Sequence, residues 1–343
     1  MSQVFRVGVT RDFLDPDGRM SLGDVGLRLL DDAPGVEWEF LAEDTRELGA
    51  AQVRGFDALL VLAPRITAAT LAGNERLVVL ARFGVGYDSV DVAACTQSGV
   101  LLTITPDGVR RPVATSLITF VLALAHKLLV KDRLTRAGRW SERTAHMGLG
   151  LTGRVLGLIG LGSIGREAAR LARPFDLRVL AHDPYVPAAE AVAVGATLVD
   201  LPELLRTADF VGLTCALTAE TRHLIDAERL ACMKPTAYLI NVARGPIVDQ
   251  AALTAALRAG RIQGAALDVF EQEPVDPDDP ILRLDNVIVT PHAMCWTDEC
   301  FLGNGREAIG SILDVAAGRP PRHVVNRAAL EHPRVKARLR EAN

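Results

Sequence analysis

Short, continuous apolar runs alternate with amphipathic stretches along almost the whole chain, and this pattern restricts the fold more than any other feature. A run that is apolar on consecutive residues, rather than on every second one, is covered on both faces, as in a parallel sheet sandwiched between helices. The class is therefore α/β. One series of strand candidates is VFRVGVT (4–10), VEWEFLA (36–42), DALLVLA (57–63), LVVLARF (77–83) and VLLTIT (100–105). A second is VLGLIG (155–160), LRVLAHD (177–183), DFVGLTC (209–215), AYLINVA (237–243), IQGAALDV (262–269) and NVIVT (286–290). Between the series lies VATSLITFVLALA (113–125), thirteen residues without a charge, whose helical pattern runs on to about Ala137. A membrane span needs roughly 20 apolar residues, so this segment is expected to be buried all round, in a domain or subunit interface. After about residue 297 comes a helical pattern with no strand to follow, expected to cross back onto the first domain.

The chain of 343 residues exceeds the usual size of one domain, and two are expected. With 49% hydrophobic and 23% charged residues it has the composition of an ordinary globular protein. A net charge of −4 and a pI near 6.0 give no electrostatic reason to expect a nucleic-acid partner. Five cysteines, at 95, 215, 232, 295 and 300, are an odd number without CxxC pairs, which predicts a reducing, cytoplasmic compartment rather than a disulfide framework. MSQVFRVGVTRDFLD lacks the apolar core of a signal peptide, so neither secretion nor a membrane partner is expected. The acidic EQEPVDPDDP (271–280) predicts an exposed loop and RVKARLREAN (334–343) a solvated helix end.

The clearest chemical signal is Gly160-Leu161-Gly162-Ser163-Ile164-Gly165, directly after the strand VLGLI and directly before the helical REAARLARPF. At such a turn the glycines let backbone approach a pyrophosphate at the positive end of a helix. The next strand ends at Asp183, eighteen residues past Gly165, where a carboxylate can accept hydrogen bonds from a ribose diol. No Arg follows Asp183-Pro184-Tyr185 closely, which favours NAD over NADP.

Three further segments lie at the ends of later strands, where open α/β sheets bind ligands: 241–245 (NVARG), 266–274 (ALDVFEQEP) and 290–293 (TPHA). An Arg offers a planar fork for a carboxylate, a His titrates near neutrality, and a Glu beside that His orients it and favours its protonated form. Together these are parts of a hydride-transfer site.

GLGSIG, NVARGPIVD, ALDVFEQEP and TPHA, in this order and spacing, resemble the D-isomer-specific 2-hydroxyacid dehydrogenases over almost the whole chain. The resemblance implies two flavodoxin-like or Rossmann-like parallel-sheet domains, with the NAD-binding domain (113–295) inserted into the substrate domain (1–112 and 296–343). It implies that Arg244 binds substrate, that His292 is the acid/base and that Glu273 pairs with it, with Asp268 near the nicotinamide carboxamide. NAD contacts are expected at Gly160, Gly162, Ser163, Ile164, Gly165, Asp183, Cys215, Thr221, Val242, Ala243, Arg244, Asp268 and His292. Arg82-Phe83-Gly84-Val85-Gly86-Tyr87-Asp88 resembles the substrate-domain loop, so the amides of Val85 and Gly86 are expected to hold the substrate carboxylate beside Arg244 and His292. The substrate expected is a small 2-oxo or D-2-hydroxy acid, glyoxylate and hydroxypyruvate among the candidates, and the expected assembly is a homodimer to which the loop with Trp140, His146 and Met147 contributes.

Departures from the family pattern are Ala216, commonly a proline, Thr115, commonly acidic, and Met294-Cys295-Trp296, commonly small residues, which should shape the substrate or nicotinamide pocket. A zinc site from His292, Cys295 and Cys300 lacks a fourth ligand at usual spacing, and no metal is expected. His126, His146, His182 and His223 have no evident chemical context. Two other readings share the motifs: an NAD-sensing, corepressor-like binding protein, and a phosphite dehydrogenase-like oxidoreductase.

Overall fold

A computed structural model describes residues 4–340. The chain forms two compact units: one takes the chain up to Val109 and again from Trp296, and the other is Arg110–Cys295. The division falls inside the helix Pro106–Ala125, just ahead of the boundary expected at residue 113.

The first unit holds a parallel sheet of β1 (Phe5–Val9), β2 (Val36–Phe40), β3 (Ala58–Val61), β4 (Val79–Arg82) and β5 (Leu101–Thr103), in the order β2-β1-β3-β4-β5. This is the flavodoxin-like order. Its inner strands are buried on consecutive residues because helices cover both faces. The edge strand β2 alternates half-buried and exposed residues. The helix Asp298–Ala316, capped by the Thr297 hydroxyl on the Cys300 N–H, packs on β3 and β4 through Ala308, Ile309 and Ile312. Its Glu307 accepts from the N–H groups of Asp107 and Gly108, the exposed donors of a helix start.

The second unit holds seven parallel strands: β6 (Val155–Ile159), β7 (Arg178–His182), β8 (Ala196–Leu198), β9 (Phe210–Leu213), β10 (Tyr238–Asn241), β11 (Gly264–Leu267) and β12 (Val287–Val289). Their order is β12-β11-β10-β9-β6-β7-β8, so the strand sequence reverses between β6 and β9 as in a Rossmann sheet. Aspartates cap three of its helices: Asp200 on Glu203, Asp226 on Arg229 and Asp249 on Ala252.

Three expectations are corrected. The strand β8 has no counterpart among the sequence candidates; it is three residues at a sheet edge, paired only with β7 and too short for an apolar run. The apolar helix begins at Pro106 rather than 113 and does not run on to Ala137: Lys127, at φ 51°, breaks it, and a separate helix spans Leu128–Arg136. Within the single chain, Arg111, Thr115 and Thr119 form an exposed stripe at four-residue spacing while Leu117, Phe120, Val121 and Leu124 enter the core under β6 and β9. The helix is long and apolar enough to cross a membrane by length and composition, yet most of it is buried within the protein. Finally, the helix Pro333–Arg340 is docked rather than solvated: Val335 is buried, Arg338 lies over the Phe5 ring, and Arg334 donates to the carbonyls of Asn74, Leu77 and Ser98. The last part of the expected tail, 341–343, lies outside the described residues.

Candidate active site

The three motif glycines meet three different constraints. Gly160 follows β6 with φ 97°, and a Cβ there would fall 2.6 Å from the Cys215 nitrogen at the end of β9. The Thr214 hydroxyl donates to the Gly160 carbonyl (2.7 Å), so the turn is stitched to β9 at the point where the strand order reverses. A Cβ at Gly165 would lie 2.3 Å from the Gly160 carbonyl oxygen, so helix and turn touch through bare backbone. Gly162, at the cap of the helix Ser163–Ala172, has nothing within 4 Å of its Cβ position. That open space at a helix start is what a pyrophosphate needs, and a side chain would fill it. The residues therefore fit a dinucleotide.

Asp183 stands at the end of β7, where its Oδ2 accepts from the Leu161 N–H (2.8 Å) and its Oδ1 from the Tyr185 N–H (3.0 Å). The carboxylate is thus fixed against the glycine turn. The same turn also holds a cation: Arg166, the first residue after Gly165, donates through Nε to the Leu161 carbonyl (2.9 Å) and pairs with Glu190 at 2.5 Å. Beyond β9, Thr221 accepts from the Thr218 N–H and donates to the Ala216 carbonyl, a hydroxyl-locked turn where the family pattern has proline. Burial pushes the Cys215 thiol up to about 11, making it an inert wall rather than a nucleophile.

Past β10, Asn241 accepts from the Ala243 N–H and donates to the Arg244 carbonyl, fixing the turn that carries Val242, Ala243 and Arg244. A Cβ on Gly245 would fall 1.8 Å from the Phe270 carbonyl oxygen. Bare backbone thus brings the Arg244 turn against the segment after β11 that carries Glu273. There Glu273 Oε1 accepts from the Phe270 N–H (3.0 Å), and Oε2 meets His292 Nδ1 at 2.7 Å. Burial raises the Glu273 carboxyl, but the hydrogen bond and charge of His292, the Phe270 N–H and nearby Arg244 outweigh it, and the net shift is below the ordinary value. The His292 and Glu273 side chains are 43% and 38% exposed, so this pair remains open to a reactant.

His292 is held in the left-handed region, φ 54°, a conformation that costs a bulky residue on the order of 1 kcal/mol. Asp268 supports it. Buried at the end of β11, its Oδ1 accepts from the Thr290 hydroxyl (2.6 Å), the Ala293 N–H (3.0 Å) and the Met294 N–H (3.1 Å), on both sides of the histidine. This anchoring task was not legible in the sequence. Nor was the pair His223–Glu271 at 2.5 Å, which ties the loop after β9 to the segment bearing Glu273.

In the first unit, the loop after β4 is fixed by Thr105, whose hydroxyl accepts from the Gly84 N–H (2.8 Å) and donates to Asn304 (2.7 Å). Val85 and Gly86 follow, half-buried. Of the three unusual residues, Met294 packs on the core of the second unit. Trp296 meets Phe301 edge-on at 5.4 Å, and Phe301 lies 6.1 Å from Phe83, the residue just before the Gly84 loop.

Residues 118–293 match the sequence model described as "D-isomer specific 2-hydroxyacid dehydrogenase, NAD binding domain". A glyoxylate reductase of Thermococcus onnurineus is 38% identical over 313 residues, 89% of this chain and 93% of that protein. A D-3-phosphoglycerate dehydrogenase of Archaeoglobus fulgidus is 37% identical over 298 residues, 87% of this chain, which spans only 56% of that longer protein. Among solved structures, a D-lactate dehydrogenase of Aquifex aeolicus complexed with NAD and lactic acid is 27% identical, with a TM-score of 0.79 over 91% of this chain and 96% of that one.

Proposed function

The chain belongs to the D-isomer specific 2-hydroxyacid dehydrogenase family, and from that premise we propose that it is an NAD-dependent oxidoreductase that interconverts a small 2-oxo acid and the matching D-2-hydroxy acid. The observation that carries this reading is the His292–Glu273 pair at 2.7 Å, with Arg244 near enough to bias the Glu273 carboxyl, on the strand-end side of a sheet that also bears the glycine turn. NAD(H), when bound, supplies the hydride chemistry. Gly160, Gly162 and Gly165, with Ser163 and Ile164 at the helix start, hold its pyrophosphate, and Asp183 its ribose diol.

Arg244 binds the substrate carboxylate through its planar fork, and the Val85 and Gly86 N–H groups are donors for a carboxylate in the first unit. In the reductive direction His292 donates its Nε2 proton to the ketone oxygen as the carbonyl carbon is reduced, and in the oxidative direction it takes that proton back. Glu273 holds Nδ1–H, which fixes the ring and favours the imidazolium. Asp268 acts on the same ring by fixing the turn that carries it. The enzyme works as a homodimer in the cytoplasm, where its five cysteines, an odd number without CxxC pairs, remain reduced.

The test is NADH consumption with glyoxylate, hydroxypyruvate, pyruvate and bulkier 2-oxo acids. Turnover with at least one is expected. NADH binding without turnover on any of them would contradict the enzyme reading in favour of a dinucleotide sensor.

A further inference from the structure

We propose that the Arg166–Glu190 ion pair, and not Asp183 alone, decides which dinucleotide the protein accepts: Glu190 holds and neutralises a guanidinium that would otherwise receive the 2′-phosphate of NADP(H). The proposal rests on the dehydrogenase reading for the cofactor and extends it to two residues outside the motif.

The geometry ties these side chains to one point. The Leu161 N–H donates to Asp183 Oδ2 at 2.8 Å, while the Leu161 carbonyl accepts from Arg166 Nε at 2.9 Å. A single residue of the glycine turn thus binds both the diol acceptor and the guanidinium. Arg166 projects from the first turn of the helix Ser163–Ala172, and its terminal nitrogen reaches Glu190 at 2.5 Å in the helix Ala188–Ala193. That helix follows Asp183-Pro184-Tyr185 in the chain, so Arg166 is tied both to the turn that holds Asp183 and to the segment that comes after it.

Charge then decides the outcome. Asp183 and Glu190 against one Arg166 leave the group net negative. Glu220 adds a third carboxylate, held by the Tyr185 hydroxyl at 3.0 Å, and Tyr185 also donates its N–H to Asp183. A 2′-phosphate entering this group meets repulsion, and the fork that could bind it is already satisfied by a carboxylate. The ribose diol of NAD is neutral and donates to Asp183 without needing Arg166. Arg166 and Glu190 are 32% and 47% exposed, so the pair can be broken without opening the core.

The experiment titrates full-length protein with NADH and NADPH, without 2-oxo acid, by fluorescence quenching. Four forms are compared: wild type, Glu190→Gln, Arg166→Ala and the double variant. Wild type is expected to prefer NADH. Glu190→Gln should tighten NADPH binding on the order of tenfold, the worth of one charge-assisted hydrogen bond, while NADH binding stays as in wild type. In the double variant the NADPH gain should vanish. An unchanged NADPH affinity in Glu190→Gln overturns the proposal, as does a gain that persists without Arg166 or one shared equally by NADH. Failure of wild type to bind NADH at all would instead strike the dehydrogenase reading, so the two failures are distinguishable.

Discussion

Single residues set the chemistry through their protonation. The Glu273 carboxyl sits below its ordinary value, so it is ionised throughout the neutral range and its contacts with His292 are lost only on acidification. His292→Ala should lower kcat by about 10²–10⁴-fold, the usual worth of an acid/base group, with NADH binding retained. Glu273→Gln keeps a partner for the ring but removes the charge that favours imidazolium, so the alkaline limb of kcat/KM for reduction should move to lower pH. Superimposable profiles in wild type and Glu273→Gln would rule out the pairing as a functional one.

At the scale of elements, two glycines separate packing from binding. Gly245 lets the turn after β10 touch the segment after β11, and a Cβ there would sit 1.8 Å from the Phe270 carbonyl oxygen. Gly245→Ala should cost on the order of 1–3 kcal/mol, as overpacking does, and displace Arg244 from Glu273. Gly162 has open space around its Cβ position, so Gly162→Ala should leave Tm almost unchanged while weakening NADH binding. Thermal unfolding and cofactor titration on both variants check this contrast. A stable Gly245→Ala protein with full turnover would mean that the close approach does not position the site.

For the whole molecule, the question is what covers the apolar surface of the second unit. Leu128, Leu129, Trp140 and Met147 are exposed there, and Leu124, Leu129, Val130, Val287 and Ile288 line a cavity of about 210 Å³. Exposed large apolar side chains beside such a cavity suit an interaction site, and a symmetric pairing would cover them on both copies. Sedimentation at micromolar concentration should give a dimer, and Leu129→Arg should dissociate it with the fold intact by circular dichroism. A wild-type monomer would show that this surface needs no second copy.

Local patterns along the chain were enough to specify whatever depends on neighbouring residues. Short apolar runs specified ten of the twelve strands and an alternating one the edge strand β2, and the glycine turn, Asp183, Arg244, Glu273 and His292 could each be marked, because each motif follows such a run. Tertiary structure alone decided the rest. The edge strand β8 exists because β7 offers it a partner, not because its three residues demand it. The helix from Pro106 leaves Arg111, Thr115 and Thr119 exposed because the core of the second unit takes up only the face that carries Leu117, Phe120, Val121 and Leu124. The tail docks because Val335 enters the core, Arg334 and Arg338 find backbone carbonyls, and Arg338 covers the Phe5 ring. Asp268 anchors the histidine turn and Glu190 claims Arg166 across separations of 22 to 26 residues. Hydrogen bonds and charges act through space, and only the folded chain fixes which of them meet.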